Sequence, residues 1–457
     1  MKDMSFSGKC RSAAALAAMT LAAEASWNPG EPVVTYWYGP GCCRQERDYI
    51  PLDDFWAKQL KEGGFNTVWA TRPEELDLAA RYGFRAIYAL DPDTVWAKFD
   101  PDDEESMAKL AARVEEVKDH PALYVYQHWD EPGADKFPEI SRVADFVRAR
   151  DHAHALWINL LPTYAKNRQL GIGGEGDEPK RMGFLGDRLS SYWEYVRLFC
   201  EAYRPRLLTY DHYQFNVKGD SHNYFMNLGI ARLHAAALGV PLWNGLQACS
   251  WTPGSLASPP TVRVPNVDEM RYLAMSTAAY GAHGLYWYAY CRKNHVGCIA
   301  ELDGTVGEKY EGLKDIHRDF LAYATALQGL NFVGAYFQGV HPQGGTPYGP
   351  QALLEITPET PYSEFKMLSD YKDTTLVSHF DAPDRPTHLM VVNCDYNSRR
   401  TIHVKAPRPA ERLDPVTRAW KPVGDKFDIA LQRGGGALLR LHAEDGFRVS
   451  RRRRKSQ

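Results

Sequence analysis

The chain has 457 residues, of which 44% are hydrophobic and 24% charged, with a formal net charge of −3. That length holds one large domain and a smaller one. The near-neutral balance excludes a general affinity for nucleic acid or acidic membranes. No apolar run is long enough for a membrane span.

The chain starts as a secretory signal peptide over residues 1–25. Lys2, Lys9 and Arg11 make the basic start, Ala13 to Ala23 the short apolar centre, and Ala23-Glu-Ala25 a small-x-small cleavage site. The expectation is a secreted or periplasmic protein. Strand-like and helix-like segments then alternate. Val33–Tyr38 is a strand, 51–63 a helix, Asn66–Ala70 a strand, 73–82 a helix, Arg85–Leu90 a strand and 105–118 a helix. Leu123-Tyr-Val-Tyr-Gln-His-Trp-Asp130-Glu131-Pro132 is the fourth strand, apolar until it ends in two adjacent carboxylates and a proline. The alternation continues through strands at 155–162, 207–213, 241–247 and 283–290, with helices at 140–150, 188–203, 224–238, 267–280 and 310–327. Eight strand–helix repeats predict a (β/α)8 TIM barrel over 26–330. Gly171-Ile-Gly-Gly-Glu-Gly176 sits in the long loop after strand five and opens no helix, so it reads as a loop over the barrel mouth and not as a phosphate cradle.

From residue 331 short strands alternate with Pro, Gly and Asp clusters, predicting a small antiparallel β-sandwich over 331–446 and a basic disordered tail over 447–457. Of the 8 cysteines, Cys291 and Cys298 bracket a short loop and could form a disulfide. No Cys-x2-Cys or His-x3-His spacing indicates a zinc site, and no organic cofactor is expected.

In a TIM barrel the C-terminal tips of the strands carry the chemistry. The expected rim holds Tyr38 from strand one, His128, Asp130 and Glu131 from four, Asn159 from five, Asp211, His212 and Tyr213 from six, Asn244 and Gln247 from seven, and Trp287 and Tyr290 from eight. Acids, amides and aromatics without a metal cluster suit cleavage of a glycosidic bond, with an oligo- or polysaccharide as substrate. Glu131 is the expected general acid/base. The charge of Asp130 beside it disfavours its ionisation. Asp211 is the second carboxylate, as nucleophile, as general base or as an anchor for a sugar hydroxyl. The other rim groups are expected to bind hydroxyls or stack on sugar faces.

The acid-Glu-Pro end of strand four, Gly284-Leu-Tyr-Trp-Tyr288 and the trailing β-domain resemble clan A glycoside hydrolases, nearest the family 42 β-galactosidase-type barrel. Two departures stand out. The clan has Asn before its acid/base Glu where this chain has Asp130, and its strand-seven nucleophile has no counterpart in Pro241–Cys249. The Asp130-Glu131 pair is similar to hexosaminidases of families 20 and 123. That resemblance implies that Asp130 positions a substrate N-acetyl group serving as nucleophile. The rival expectation is a non-catalytic carbohydrate-binding barrel that has lost its nucleophile.

Overall fold

A computed structural model describes residues 27–42, 49–96, 98–172, 185–251, 261–349, 353–360, 371–383 and 385–442, with side chains described from 191 onward in the segment that begins at 185. The expected signal peptide, the basic tail and most of the loop after strand five lie outside the described residues. No helix among the described residues is long and apolar enough to cross a membrane.

Eight strands form one parallel sheet: β1 (Val33–Trp37), β2 (Thr67–Ala70), β3 (Arg85–Ala89), β4 (Leu123–Asp130), β5 (Ala155–Leu160), β6 (Leu208–Asp211), β7 (Leu242–Gln247) and β8 (Gly284–Tyr288). They neighbour one another in chain order, and β8 pairs back onto β1. Asn66 links the remaining edges. Its backbone N–H donates to Val34 O (3.2 Å), its Oδ1 accepts from Val34 N (2.9 Å) and its Nδ2 donates to Pro32 O (2.8 Å). The helices α1 (Asp54–Glu62), α2 (Pro73–Arg81), α3 (Glu104–Val117), α4 (Phe137–Arg148), α5 (Leu185–Tyr203), α6 (Tyr224–Leu238), α7 (Val267–Ala279) and α8 (Glu308–Leu327) connect or follow the strands. Several start where the sequence supplies a cap. Asp53 accepts from Trp56 N, Asp103 from Glu105 N and Ser106 N, and Asn266 forms a capping box with Glu269.

The barrel interior is packed with indoles. Trp37 meets Trp157 edge-on at 4.8 Å and Trp69 at 5.1 Å, and Trp157 meets Trp243 at 5.4 Å. Tyr124 stacks on Trp243 at 6.0 Å. Each such pair contributes about 0.5–1.5 kcal/mol beyond area burial. Much of the aromatic content is therefore core, and it plugs the barrel below the rim.

The second sheet contains β9 (Phe332–Gln338), β10 (Thr346–Pro347), β11 (Glu355–Thr357), β12 (Thr375–Asp381), β13 (Pro386–Asn393), β14 (Arg400–Leu413), β15 (Trp420–Leu431) and β16 (Gly436–Leu441). The strands expected as a β-sandwich form one hydrogen-bonded mixed sheet, antiparallel except for the β9–β10 pair. Its β14 keeps β15 on one edge at 400–405 and 410–413 and changes partners on the other, where 403–405 pair with β11 and 410–412 with β16, with the register broken across Ala406-Pro-Arg-Pro409. Prolines cannot donate to a ladder, so they mark that break. One face, through Leu376, Phe380, Met390, Val392 and Leu438, joins the barrel core, and the other encloses its own cluster around Val391, Ile402 and Leu439.

The described cysteines are all unbridged. The expected Cys291–Cys298 bridge is not formed, and the Cys298 thiol interacts with Cys249 as well as with Cys291.

Candidate active site

Strand β4 does not alternate cleanly to its end. Gln127 pairs with Trp157 and Trp129 with Ile158, so His128 is an extra residue, a β-bulge. Beyond it the facing of the strand is reset, and Asp130 pairs with the inward-facing Asn159. Glu131 follows with φ +47°, a left-handed conformation that non-glycine residues rarely adopt. The turn is held from three sides. Glu131 N donates to Asn159 O (2.8 Å), Trp96 Nε1 to Asp130 O (3.1 Å) and Tyr195 OH to Pro132 O (2.7 Å).

The Asn159 amide ties the carboxylates together. Its Nδ2 donates to Asp130 Oδ1 (3.0 Å) and to Asp211 Oδ2 (3.1 Å), and its Oδ1 accepts from the Tyr286 hydroxyl. The Tyr286 proton thereby fixes which end of the amide faces the acids. Asp211 Oδ2 also accepts from Tyr213 OH (2.9 Å). The Asp211 and Glu131 carboxyls lie in hydrogen-bond contact. Asp211 Oδ1 is buried and receives no proton from any permanent donor among the described residues.

Asp211 is buried, Asp130 is half-buried and Glu131 is open to the cleft. All three titrate above the usual carboxylate range. For Asp130 the cause is burial first and then the charge of Asp211, opposed by the Asn159 N–H and the Arg292 guanidinium. For Asp211 it is burial, opposed by hydrogen bonds from Asn159, Tyr213 and Glu131. Glu131 is pushed up by its deep position and then by the charges of Asp211 and Asp130. Cleft water that reaches Glu131 moderates the first cause and leaves the neighbouring charges. Like charges in contact cannot both ionise freely, so the pair holds a proton, and the higher pKa places it on Glu131.

Above these groups opens a cleft of about 1020 Å³. Trp37 and Tyr38 come from the end of β1, and Trp96 from the β3 loop. Tyr164, Tyr213 and Trp251 follow β5, β6 and β7, Tyr288 ends β8, and the 216–223 segment closes one side. Arg292 lies over the Tyr38 ring at 3.7 Å and donates to Tyr288 OH. The described residues contain no group of three or more His, Cys, Asp or Glu that could hold a metal ion.

No family model matches this sequence, and no curated protein matches it. Solved structures do. A glycoside hydrolase family 5 protein from Bacteroides vulgatus is similar at TM-score 0.51 and 12% identity, over 90% of this chain and 93% of that one. A GH2 β-galacturonidase from Eisenbergiella tayi is similar at TM-score 0.42 and 12% identity, over 63% of this chain and 51% of that one. A putative α-L-fucosidase from Bacteroides thetaiotaomicron is similar at TM-score 0.40 and 11% identity, over 66% and 97%. The chain spans about half the length of the galacturonidase. At such identities the likeness describes the fold, and the family 5 protein shares it across both the barrel and the second sheet.

Of the residues expected at the rim, Tyr38, Asp130, Glu131, Asp211 and Tyr213 line the cleft, with Asn159 in hydrogen-bond contact beneath them. The others lie elsewhere. His128 is fully buried because the bulge turns it outward, where its ring stacks on Tyr203 and its Nδ1 meets Tyr203 OH at 3.3 Å. His212 is buried between Asn227 Oδ1 (3.1 Å) and Ser221 Oγ (2.8 Å), and burial lowers its pKa to about 4. Asn244 faces α7 and donates to Thr277 Oγ1 (2.8 Å). Gln247 joins two loops through Phe215 N (2.8 Å) and Arg263 O (2.7 Å). Trp287 points away from the barrel axis and donates to His317 Nε2 (2.8 Å), and Tyr290 donates to Gln59 Oε1 on α1 (2.7 Å).

Trp96, Tyr164, Trp251, Tyr286, Tyr288 and Arg292 were missed. Tyr286 carried a signal, since it lies two residues from Tyr288 and so shares its face of the strand. Its place is explained by Gly245, where a Cβ would meet the Tyr286 hydroxyl at 2.5 Å. Strand seven leaves that room empty, and a tyrosine from strand eight fills it.

Proposed function

We propose that this chain is a glycoside hydrolase acting on O-glycosidic bonds of an oligo- or polysaccharide, with Glu131 as general acid/base. The observation that carries the reading is the contact of Glu131 with Asp211 beneath an aromatic-walled cleft. A carboxyl kept protonated near neutral pH is what donation to a leaving oxygen requires. Asp211, ionised and oriented by Asn159 and Tyr213, is the second carboxyl. Carboxyls in contact leave no room for the water that an inverting enzyme holds between acids roughly 6.5–9.5 Å apart, which supports a retaining reaction. Asp130 helps keep Glu131 protonated. The β-galactosidase-like and hexosaminidase-like forms differ in what attacks the anomeric carbon, Asp211 or a substrate N-acetyl group positioned by Asp130. The absence of a carboxylate on β7 favours the second. The basic, Ala-rich start supports export of the protein, and the break near residue 331 supports a division into barrel and accessory β-domain.

A panel of aryl glycosides with and without N-acetyl groups, hydrolysed by wild type and Glu131→Gln, tests this. Expected is turnover with retained anomeric configuration by proton NMR, lost about 10²–10⁴-fold in the variant. Sugar binding by calorimetry with no turnover of any glycoside would instead establish the binding barrel.

A further inference from the structure

We propose that Cys249 and Cys298 are a redox-active dithiol that closes to a disulfide by exchange with a small disulfide oxidant and pins one wall of the cleft. Just after β7, Ser250–Trp251 pairs antiparallel with His295–Val296, Trp251 opposite His295 and Ser250 opposite Val296. One step further along that ladder lies Cys249 beside Gly297, with Cys298 next, which sets the two thiols near enough to interact. Lys309, at the start of α8, fixes this arrangement. Its ammonium donates to Ala248 O (2.6 Å) and to Gly297 O. These are the carbonyls of the residues immediately before the two cysteines. One buried cation therefore holds both backbones side by side and sets a positive charge against both sulfurs.

The two thiols are unequal. Cys298 is the less buried of the two, and its thiol is lowered by the hydrogen bond with Cys249, with the Lys309 charge assisting. Cys249 is fully buried, which pushes its thiol up. Cys298 is thus the first nucleophile and Cys249 the resolving one. With oxidised glutathione, the Cys298 thiolate attacks one sulfur, breaks the S–S bond and releases one glutathione thiol. Cys249 then loses its proton, attacks the Cys298 sulfur and releases the second. Two protein thiols become one disulfide, and one glutathione disulfide becomes two thiols. The bond would lock the strand pair that carries Trp251 and flanks Arg292, both in the cleft wall.

The test uses the full chain equilibrated in defined ratios of oxidised to reduced glutathione, quenched by alkylation and mapped by mass spectrometry without reduction. Expected is a Cys249–Cys298 cross-linked peptide, with amides of 249–251 and 295–298 exchanging several-fold more slowly once it forms. In Cys249→Ser, Cys298 should stop at the mixed glutathione disulfide, and Lys309→Met should slow alkylation of Cys298 several-fold at pH 7. A Cys291–Cys298 cross-link, or wild-type Cys298 ending as the mixed disulfide alone, would overturn the proposal. The mapping of wild type needs no variant to fold and is independent of any hydrolase activity.

Discussion

At the scale of single residues one amide and one hydroxyl set the site. Asn159 gives its N–H groups to Asp130 and Asp211 because Tyr286 occupies its oxygen. In Tyr286→Phe that oxygen loses its donor and the amide is free to turn. The acid limb of the pH–rate profile should then move to higher pH, since Asp211 loses a bond favouring its charged form, while KM changes little. In Asp211→Asn the Glu131 carboxyl should titrate lower, read by carboxyl NMR, because it no longer has a carboxylate against it. The same substitution should stabilise the protein. A carboxyl with a raised folded pKa binds its proton more tightly when folded, so stability is fullest at low pH and falls as pH rises through that pKa. Near pH 7 Asp211→Asn should therefore gain about 1–2 kcal/mol in denaturant unfolding, by the scale of about 1.4 kcal/mol per unit. The gain should vanish near pH 4. A loss at pH 7 would mean that the acids are matched to their surroundings and not held there for chemistry.

At the scale of elements the decisive feature is the bulge in β4. One residue inserted between Trp129 and Asp130 would take the place opposite Asn159 and turn Asp130 to the helix side. Far-UV circular dichroism should change little while hydrolysis is lost. This is also where sequence and structure part. The eight strand–helix repeats were legible because each strand is an apolar run between polar turns, and the place of Glu131 on the cleft was legible because two adjacent acids end an apolar strand. A bulge leaves no mark in hydrophobicity, so His128 was placed in the cleft when it packs against Tyr203. Trp287 and Tyr290 were misplaced for a related reason: strand eight is aromatic on both faces, and period two cannot say which face is inward. Asn244 and Gln247 are amides that the fold itself consumes.

At the scale of the whole molecule, the indole stack and the second sheet hold the rim in place. Trp157→Ala would remove contacts to Trp37, Trp69 and Trp243 and should cost about 3–5 kcal/mol, read as a lowered unfolding midpoint. The second sheet reaches the cleft itself. Tyr396, following β13, donates to Asp220 in the cleft-lining 216–223 segment, and Arg263 meets the same carboxylate at 3.2 Å. Tyr396→Phe should raise KM with little effect on kcat, whereas an independent accessory sheet would leave both unchanged.

The most direct test of Glu131 as general acid is the leaving-group dependence of Glu131→Gln. A dinitrophenyl glycoside departs without a proton, and an alkyl glycoside of the same sugar does not. The variant should keep most of its kcat/KM on the first and lose about 10²–10⁴-fold on the second. Equal losses on both, or none on either, would contradict the assignment.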